Sequence, residues 1–208
     1  MILSKFCVDI RSPQGRSCIR DCQNMHRSIM RLFHCTRKDG NIQYRFNPDK
    51  MDVYKMDVYI LSEKEPDLQD VPKGMILRGQ KDMSGWEQAV AEGNCYRFNV
   101  LAAPTKKVAT DGVKNSRRRF LRMPEERMEW LQRKADQSGF VLLEAQEQND
   151  TSIYGKHPEE AGGAFYSHAV CYQGILKVTD REKFCTAWRQ GIGSGRAYGQ
   201  GLLLLARV

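Results

Sequence analysis

One order of predicted strands and helices occurs twice along the chain, which restricts the fold to a few candidates. Residues 2–10 alternate apolar and polar positions as a strand does, and residues 18–35 place apolar residues at the three- and four-residue spacing of one helix face. The remaining elements of the first half are strands at 42–46 and 53–61, a weak helix or loop at 64–70, and a strand near 75–77. The first half therefore runs strand, helix, strand, strand, weak helix, strand.

The same order returns in the second half. Residues 96–102 alternate as a strand, and Pro124, a residue type favoured at the first position of a helix, begins a helical pattern that runs to about Ser138. Asp180 is a good N-cap for a second helix, which ends at Gln190. The remaining strands of this half are predicted at residues 140–145, 168–178 and 202–208.

Two passes of this order predict an α+β fold with tandem ferredoxin-like domains, each with the element order βαββαβ. This fold is related to the four-stranded RNA-recognition module, so the domains are also RRM-like. A chain of 208 residues is long enough for two such units, since domains of about 100 residues are common. We place the N-terminal domain at residues 1–90 and the C-terminal domain at residues 95–208.

A short basic stretch in the second half carries most of the net charge. The chain has 33 Lys and Arg residues against 25 Asp and Glu residues, which gives a net charge of +8. Only Asp111 opposes the basic residues of this polar stretch, which we predict to be a long loop at 104–123. Clustered like charge repels itself unless a polyanion relieves it, so the stretch favours a nucleic-acid partner over a solvated, flexible insertion. The basic residues are Lys106, Lys107, Lys114, Arg117, Arg118, Arg119 and Arg122.

The N-terminus and the cysteines indicate the compartment. The first ten residues, MILSKFCVDI, contain no basic leader followed by an apolar run, and no window is long enough to span a membrane. We therefore predict a cytoplasmic protein without a membrane partner. The 7 cysteines are scattered, without the CxxC pairs of a zinc module or the density of a disulfide-stapled domain. Reduced thiols, no bound metal and no cofactor are expected.

One histidine of the first predicted helix has a use in phosphodiester chemistry. His26 lies at the edge of the apolar face, beside a polar stripe that contains Arg27 and Arg31. An imidazole with a pKa of about 6.5 can move protons near neutral pH, while guanidinium groups can hold a phosphate. The alternative is a half-buried histidine that packs at the helix edge. Cys18 and Cys22 precede His26 at four-residue spacing, but ligands on three successive turns span about 12 Å and cannot share one ion.

Five glycines lie close together in residues 190–201, near the C-terminus. Such loops let a phosphate approach the backbone closely, and Arg196 adds a positive charge. A nucleotide-cofactor site is not expected, because here a helix precedes the glycines and an apolar strand follows them. The segment is therefore either a phosphate-contacting loop or a tight connection from helix to strand. Its glycines are Gly191, Gly193, Gly195, Gly199 and Gly201.

Several segments occur together in a recognisable order. They are the strand MILSK, the histidine helix DCQNMHRSIMRLF, the helix PEERMEWLQRK, the strand VCYQGILKV and the terminal QGIGSGRAYGQGLLLLA. Together they resemble the CasE family, the CRISPR-associated endoribonucleases of the type I-E Cascade complex. The resemblance implies tandem ferredoxin-like domains and metal-independent cleavage of precursor CRISPR RNA beside the repeat hairpin. The 2′-OH would attack the phosphate and leave a 2′,3′-cyclic phosphate and a 5′-OH, and the protein would stay bound to other Cascade subunits.

The resemblance also implies roles for individual residues. His26 matches the catalytic histidine of the family, acting as a general acid or base. Arg27 and Arg31 match basic positions of the same helix that would steady the phosphate. The basic loop at 104–123 matches the element that docks against the stem of the RNA hairpin. Further RNA contacts are expected from Lys156 and Arg196.

The chain departs from the family pattern at one position. The family often has a tyrosine three residues before the histidine, and this chain has Gln23 there. An amide can hydrogen-bond a ribose or a phosphate, but it cannot act as a phenol would. We therefore expect His26 to dominate the chemistry, and the alternative function is a non-catalytic scaffold of the same complex that binds the RNA hairpin.

Overall fold

The chain forms two four-stranded sheets packed against helices. The computed structural model describes residues 1–46, 54–108, 117–156 and 163–208. None of the helices in these ranges is both long and apolar enough to cross a membrane. The first half contains β1 (Ile2–Asp9), α1 (Pro13–Arg20), α2 (Cys22–Arg31), β2 (Gln43–Phe46), β3 (Lys55–Ser62), β4 (Met75–Asp82) and α3 (Ser84–Ala89). The second half contains β5 (Cys95–Ala102), β6 (Thr105–Val108), β7 (Arg117–Phe120), α4 (Pro124–Gln137), β8 (Phe140–Lys156), β9 (Ala164–Val178), α5 (Arg181–Gln190) and β10 (Leu203–Arg207).

Both sheets have the same strand order. The order is β2-β3-β1-β4 in the first sheet and β8-β9-β5-β10 in the second, and all neighbouring strands are antiparallel. In each sheet the first strand thus lies between the third and the fourth, which is the ferredoxin-like arrangement. The predicted α+β fold with tandem ferredoxin-like units is confirmed. The weak helix or loop predicted at 64–70 is a single 3-10 turn, Leu68–Asp70.

The two sheets share part of their hydrophobic core. Leu61, on β3 of the first sheet, belongs to the core of the second sheet, and Met1 and Leu3 pack against that core. No strand of the described residues belongs to both sheets. We therefore propose the division into residues 1–90 and 95–208, with the two units in close contact.

The first predicted helix is two helices, because Asp21 interrupts it. The prediction of one helix over 18–35 is wrong in this respect. Asp21 has φ −143° and ψ 114°, which is extended backbone, and its Oδ1 accepts a hydrogen bond from the Gln23 N–H at 2.9 Å. An aspartate that caps the following helix in this way competes with continuous helical backbone. The apolar spacing continues across the break, so periodicity alone could not reveal it.

Helix α2 packs against both sheets. Met25 and Ile29 are almost fully buried in the core of the first sheet. Cys22, in the first turn, packs instead with Leu101 and Ile153 of the second sheet. The N-terminal turn of α2 therefore lies between the two halves of the chain, where residues of both can contact it.

The basic loop predicted at 104–123 is partly a β-hairpin. Strands β6 and β7 pair in antiparallel fashion, so that Lys106 lies opposite Arg119. A two-stranded ribbon that is exposed on both faces needs no apolar alternation, and its sequence therefore gives no strand signal. Lys114 and the side chain of Arg117 lie outside the described residues.

Candidate functional site

His26 lies half-buried in the middle of α2. Within the described residues, its Nδ1 is buried and has no hydrogen-bond partner. The ring stacks on Tyr44, with ring centroids 6.3 Å apart and planes inclined by 29°. Burial and the positive charges of Arg37 and Arg27 hold the pKa of His26 below its ordinary value, so the neutral ring predominates at neutral pH. A buried imidazole nitrogen left without a partner is uncommon in packed cores and typical of functional sites.

Two guanidinium groups, one from each half of the chain, act on each other, and one of them also acts on His26. Arg37 follows α2, and Arg196 lies in the glycine-rich segment. The pKa of Arg37 lies below its ordinary value because the side chain is partly buried and because the charge of Arg196 is near. Among the described residues, neither guanidinium forms an ion pair with a carboxylate, and Arg196 donates to the carbonyl oxygen of Gln190 at 2.8 Å. Like charges held together in this way favour the binding of an anion such as a phosphate.

Two tyrosines connect α2 and β2 to the glycine-rich segment. The hydroxyl of Tyr44, a fully buried residue, donates to the carbonyl oxygen of Ala197. The amide of Gln23 donates to the hydroxyl oxygen of Tyr198 at 3.4 Å. Burial raises the pKa of both phenols, so they keep their protons at neutral pH. Since Gln23 precedes His26 by three residues on one helix, Tyr198 brings a phenol to this site from the second half of the chain.

Three residues of this site, Arg37, Tyr44 and Tyr198, were not predicted from the sequence. Arg37 lies in a turn after α2, where no periodic pattern distinguishes it from exposed cations. The two tyrosines reach the site through contacts between residues that lie far apart in the chain. The one available signal was the position of Tyr198 among the five glycines, which places it in a segment already proposed to contact phosphate.

Glycines allow the glycine-rich segment to approach β2 closely. Gly199 has φ 79°, and a Cβ atom there would lie 2.7 Å from the ring of Phe46 and 3.2 Å from the ring of Tyr44. Gly191 also has φ 79°, and its Cβ atom would lie 2.8 Å from Oε1 of Gln43. Only glycine fits such positions without strain. The segment is a helix-to-strand connection, and phosphate contact by its backbone stays a prediction. Positive φ values also occur at Gly193, Gly195 and Gly201.

Asp21 ties the end of β8 to the start of α2. Its Oδ1 accepts a hydrogen bond from the backbone N–H of Lys156 at 3.3 Å, in addition to the bond from Gln23. The side chain of Lys156 is exposed at this end of the helix. The fold therefore brings Lys156, a predicted RNA contact, to the helix that carries His26.

We expect Asp21→Ala to lower the free energy of unfolding by about 1–2 kcal/mol, because the helix loses its cap and two N–H groups lose their acceptor. Urea denaturation measures this change. Asp21→Asn is the matched control, since the amide keeps an oxygen acceptor and we expect it to retain most of the stability. Equal stability of wild-type protein and Asp21→Ala would show that the cap contributes nothing.

A basic groove leads from the β6–β7 hairpin to Arg196. The groove has a volume of about 700 Å³ and lies between the hairpin, α5, the C-terminal end of α4 and the glycine-rich segment. Of the described residues that line the groove, Glu182 is the one acidic residue. A concave surface on which positive charges predominate fits a polyanion. The basic lining residues are Lys107, Arg118, Lys134, Lys183 and Arg196. Exposed on or beside the same hairpin are Lys106, Arg119 and Arg122.

The two arginines predicted beside His26 differ in position. Arg27 is exposed and donates to Oδ1 of Asn24 at 2.9 Å, and its charge still acts on His26. Arg31 is also exposed, and its Nη2 lies 3.9 Å from a carboxylate oxygen of Asp70. The structure therefore brings Arg27 near His26 and turns Arg31 toward the 3-10 turn.

One group of possible metal ligands lies beyond the C-terminal end of α2. His34 Nε2 is 3.3 Å from Oδ2 of Asp67 and 3.1 Å from Oδ2 of Asp70. The three ligand atoms all lie within 4.8 Å of one another. Among the described residues this is the one group of three such ligands, and it does not include His26. Its side chains already pair with one another, as exposed ions commonly do.

Comparison with known protein families tests the resemblance seen in the sequence. A sequence model described as CRISPR associated protein matches residues 1–207. The chain belongs to the CRISPR-associated protein family. The predicted relationship to the CasE endoribonucleases is confirmed by the relatives of this CRISPR-associated protein.

The similarities extend over the whole CRISPR-associated chain. It is 28% identical over 212 residues to the CRISPR-associated endoribonuclease Cse3 of Thermus thermophilus, covering 95% of this chain and 97% of that protein. A solved structure of the CRISPR endoribonuclease Cse3 bound to 19 nt RNA superposes with a TM-score of 0.85 at 28% identity, covering 99% and 100% of the two chains. A chain of a pre-nicking CRISPR RNA-guided surveillance complex shares the fold, with a TM-score of 0.74, 23% identity and full coverage of both chains.

Proposed function

We propose that this CRISPR-associated protein is a metal-independent endoribonuclease that binds the hairpin of a CRISPR repeat and cuts the precursor RNA beside it. One observation carries the proposal. His26 has a buried nitrogen that lacks a partner among the described residues, the charges of Arg37 and Arg27 lower its pKa, and the charge of Arg196 acts in turn on Arg37. Similarity to a CRISPR-associated endoribonuclease over 95% of the chain supports RNA as the substrate. After cleavage the protein stays bound to its product as a Cascade subunit.

The proposed reaction transfers a phosphoryl group within the RNA chain. The 2′ oxygen of the upstream ribose bonds to the adjacent phosphorus, its proton passes to His26, and the bond from phosphorus to the 5′ oxygen breaks. The products are a 2′,3′-cyclic phosphate and a 5′-OH, which takes its proton from water or from the phenol of Tyr198. The lowered pKa of His26 suits the step, because a neutral imidazole accepts a proton.

The cations around His26 hold the reacting phosphate in this proposal. Arg37 and Arg196 donate charge-assisted hydrogen bonds to its non-bridging oxygens, whose negative charge increases in the transition state. Arg27 acts on the phosphate through space and lowers the pKa of His26. Arg31 remains a proposed phosphate contact only if its side chain turns away from Asp70, at some loss of that weak ion pair.

The basic groove and its hairpin receive the RNA stem. Side chains in such a groove contact phosphates and riboses, and duplex RNA is read mainly through its shape and backbone. Arg196 lines the groove and also acts on Arg37, the arginine whose charge lowers the pKa of His26. A stem held in the groove would therefore place an adjoining phosphate close to the histidine.

A non-catalytic RNA-binding scaffold is the second candidate function. Gln23 favours it, because the amide replaces the phenol that the family often has at this position. The scaffold would bind the hairpin with a steep dependence on salt and leave the RNA whole. Tyr198 argues for the enzyme, since its phenol lies within hydrogen-bond reach of the Gln23 amide.

Incubation of the purified protein with its own repeat RNA in excess EDTA tests the proposal. We expect a single cut at the base of the hairpin, at the same rate with and without the chelator. The upstream product should resist a 3′ tailing enzyme until its cyclic phosphate is removed. A strict requirement for Mg²⁺ would contradict the mechanism, and tight binding without a cut would support the scaffold.

A further inference from the structure

An exposed row of aromatic side chains runs along the β8–β9 hairpin. Strands β8 and β9 place Tyr154 opposite Tyr166 and Ser152 opposite His168. The two tyrosine rings form an edge-to-face pair with centroids 5.4 Å apart. Ser152 Oγ and Nδ1 of His168 lie 2.8 Å apart, which fixes the orientation of the imidazole. Because side chains alternate across a strand, these four residues share one face of the hairpin.

This face is open to solvent, unlike the opposite one. Tyr166 is 65% exposed, whereas Ile153 on the other face is buried in a hydrophobic cluster that Phe165 packs against. A tyrosine this exposed contributes little to the core, and its flat ring is available to a partner. We name the row of Ser152, Tyr154, Tyr166 and His168 the aromatic row.

The aromatic row joins the two parts of the proposed RNA site. At one end, Lys156 lies two residues beyond Tyr154, and its N–H bonds to Asp21, the cap of the helix that carries His26. At the other end, the ring of His168 lies 5.2 Å from the ring of Phe120 on β7, a strand of the basic hairpin.

The chemistry of the row indicates the kind of partner. Neither residues 152–156 nor residues 164–168 contain an acidic side chain. Lys156 lies at one end of the row, and Arg119 precedes Phe120 at the other end. The nearest acid along β8, Asp150, forms an ion pair with Arg127 at 3.6 Å. An aromatic face flanked by cations is the surface on which nucleobases stack while their phosphates are neutralised. Bases inside a duplex already stack on one another, so the partner must be an unpaired base.

We propose that Tyr166, supported by Tyr154, stacks an unpaired nucleobase that adjoins the repeat hairpin and so fixes the strand that leads to His26. The inference rests on the proposed function, and it adds a binding site for single-stranded RNA beside the stem-binding groove. Tyr166 is a positioning residue: it acts on the register of the RNA and takes no part in the proton transfer.

The test uses repeat RNAs with 2-aminopurine placed in turn at each unpaired position next to the stem. Every protein carries His26→Ala, so that the RNA stays whole. We expect binding to quench 2-aminopurine at one position, and Tyr166→Leu to abolish that quenching and raise Kd by about 10-fold. Tyr166→Phe should leave both quenching and Kd unchanged, because it keeps the ring. Tyr54→Leu is the matched control, since Tyr54 is 51% exposed and lies beside Arg11 elsewhere on the surface.

A second RNA, the stem without its unpaired flanks, separates the possible outcomes. The Kd for this RNA should be the same for the proteins with and without Tyr166→Leu. Equal loss of affinity for both RNAs would place Tyr166 against the stem and overturn the inference. If Tyr166→Leu changes neither binding nor quenching, while the protein that retains His26 cuts the RNA, the inference is overturned and the proposed function stands. A protein subunit would then be the partner of the aromatic row. If the protein that retains His26 does not cut the RNA, the result counts against the proposed function and not against the site at Tyr166.

Discussion

Replacement of His26 by alanine is expected to lower the single-turnover rate of repeat-RNA cleavage by about 10²- to 10⁴-fold, the usual contribution of a positioned acid or base. The Kd for the RNA should change little, because this variant keeps all the basic side chains of the groove and the hairpin that hold the stem. Rapid-quench assays at saturating protein measure the rate, and filter binding measures the Kd.

His34→Ala is the matched control for this variant. His34 is a histidine just beyond the same helix, but it is exposed and paired with Asp67 and Asp70. Its removal should leave cleavage within about 2-fold of wild type, since surface substitutions away from a site rarely have larger effects. Cleavage by His26→Ala at the wild-type rate would mean that another group moves the proton.

Arg37→Gln is expected to slow cleavage by about 10²-fold, because one donor to the developing phosphate charge is lost. It should also move the pH–rate profile. Burial, Arg37 and Arg27 hold the pKa of His26 below its ordinary value, so loss of one cation raises this pKa. If His26 acts as the base, it must be neutral, and the acid limb of the profile then moves to higher pH.

Two further arginine variants make the Arg37 result specific. Arg20→Gln removes an exposed cation at the end of α1 and should leave both the rate and the acid limb unchanged. Arg31→Gln tests the residue that the sequence placed beside the phosphate, and the position of Arg31 near Asp70 leads us to expect a smaller loss than in Arg37→Gln. A larger loss of cleavage rate in Arg31→Gln than in Arg37→Gln would indicate that Arg31 contacts the phosphate.

The sequence was sufficient for the fold because each half repeats one periodic pattern. Alternating residues on β1 and β5 and the helical spacing in α2 and α4 are local signals, and they recur in the same order. Pro124 and Asp180 predict helix starts through their own side chains, one as a first helical residue and the other as an N-cap. Helices α4 and α5 begin at these positions. Two equal patterns in one chain leave few arrangements other than a tandem fold.

Local sequence patterns did not predict the structure where it depends on a single polar contact or on residues far apart in the chain. Asp21 breaks a helix through one hydrogen bond, while the apolar pattern continues past it. The charges at 104–123 resemble a loop because a paired ribbon exposed to water needs no apolar face. Arg37 is placed by the turn after α2, and Tyr198 reaches the helix of His26 only after the second half folds against the first, so no periodic spacing relates them to the histidine.

The hydrogen bond from the buried Tyr44 to the backbone of Ala197 joins the two units and restricts which substitutions the chain can accept during evolution. In the proposed site the two units depend on each other, since the first supplies the imidazole of His26 and the second supplies Arg196 and the phenol of Tyr198. In the proposed mechanism, a displacement of one unit against the other by ~1 Å would change the distances from Arg196 and Tyr198 to the reacting groups, and misplacements of this size can reduce rates by ~10²-fold. We therefore expect substitutions where the two units meet to be tolerated mainly when a compensating substitution occurs in the other unit.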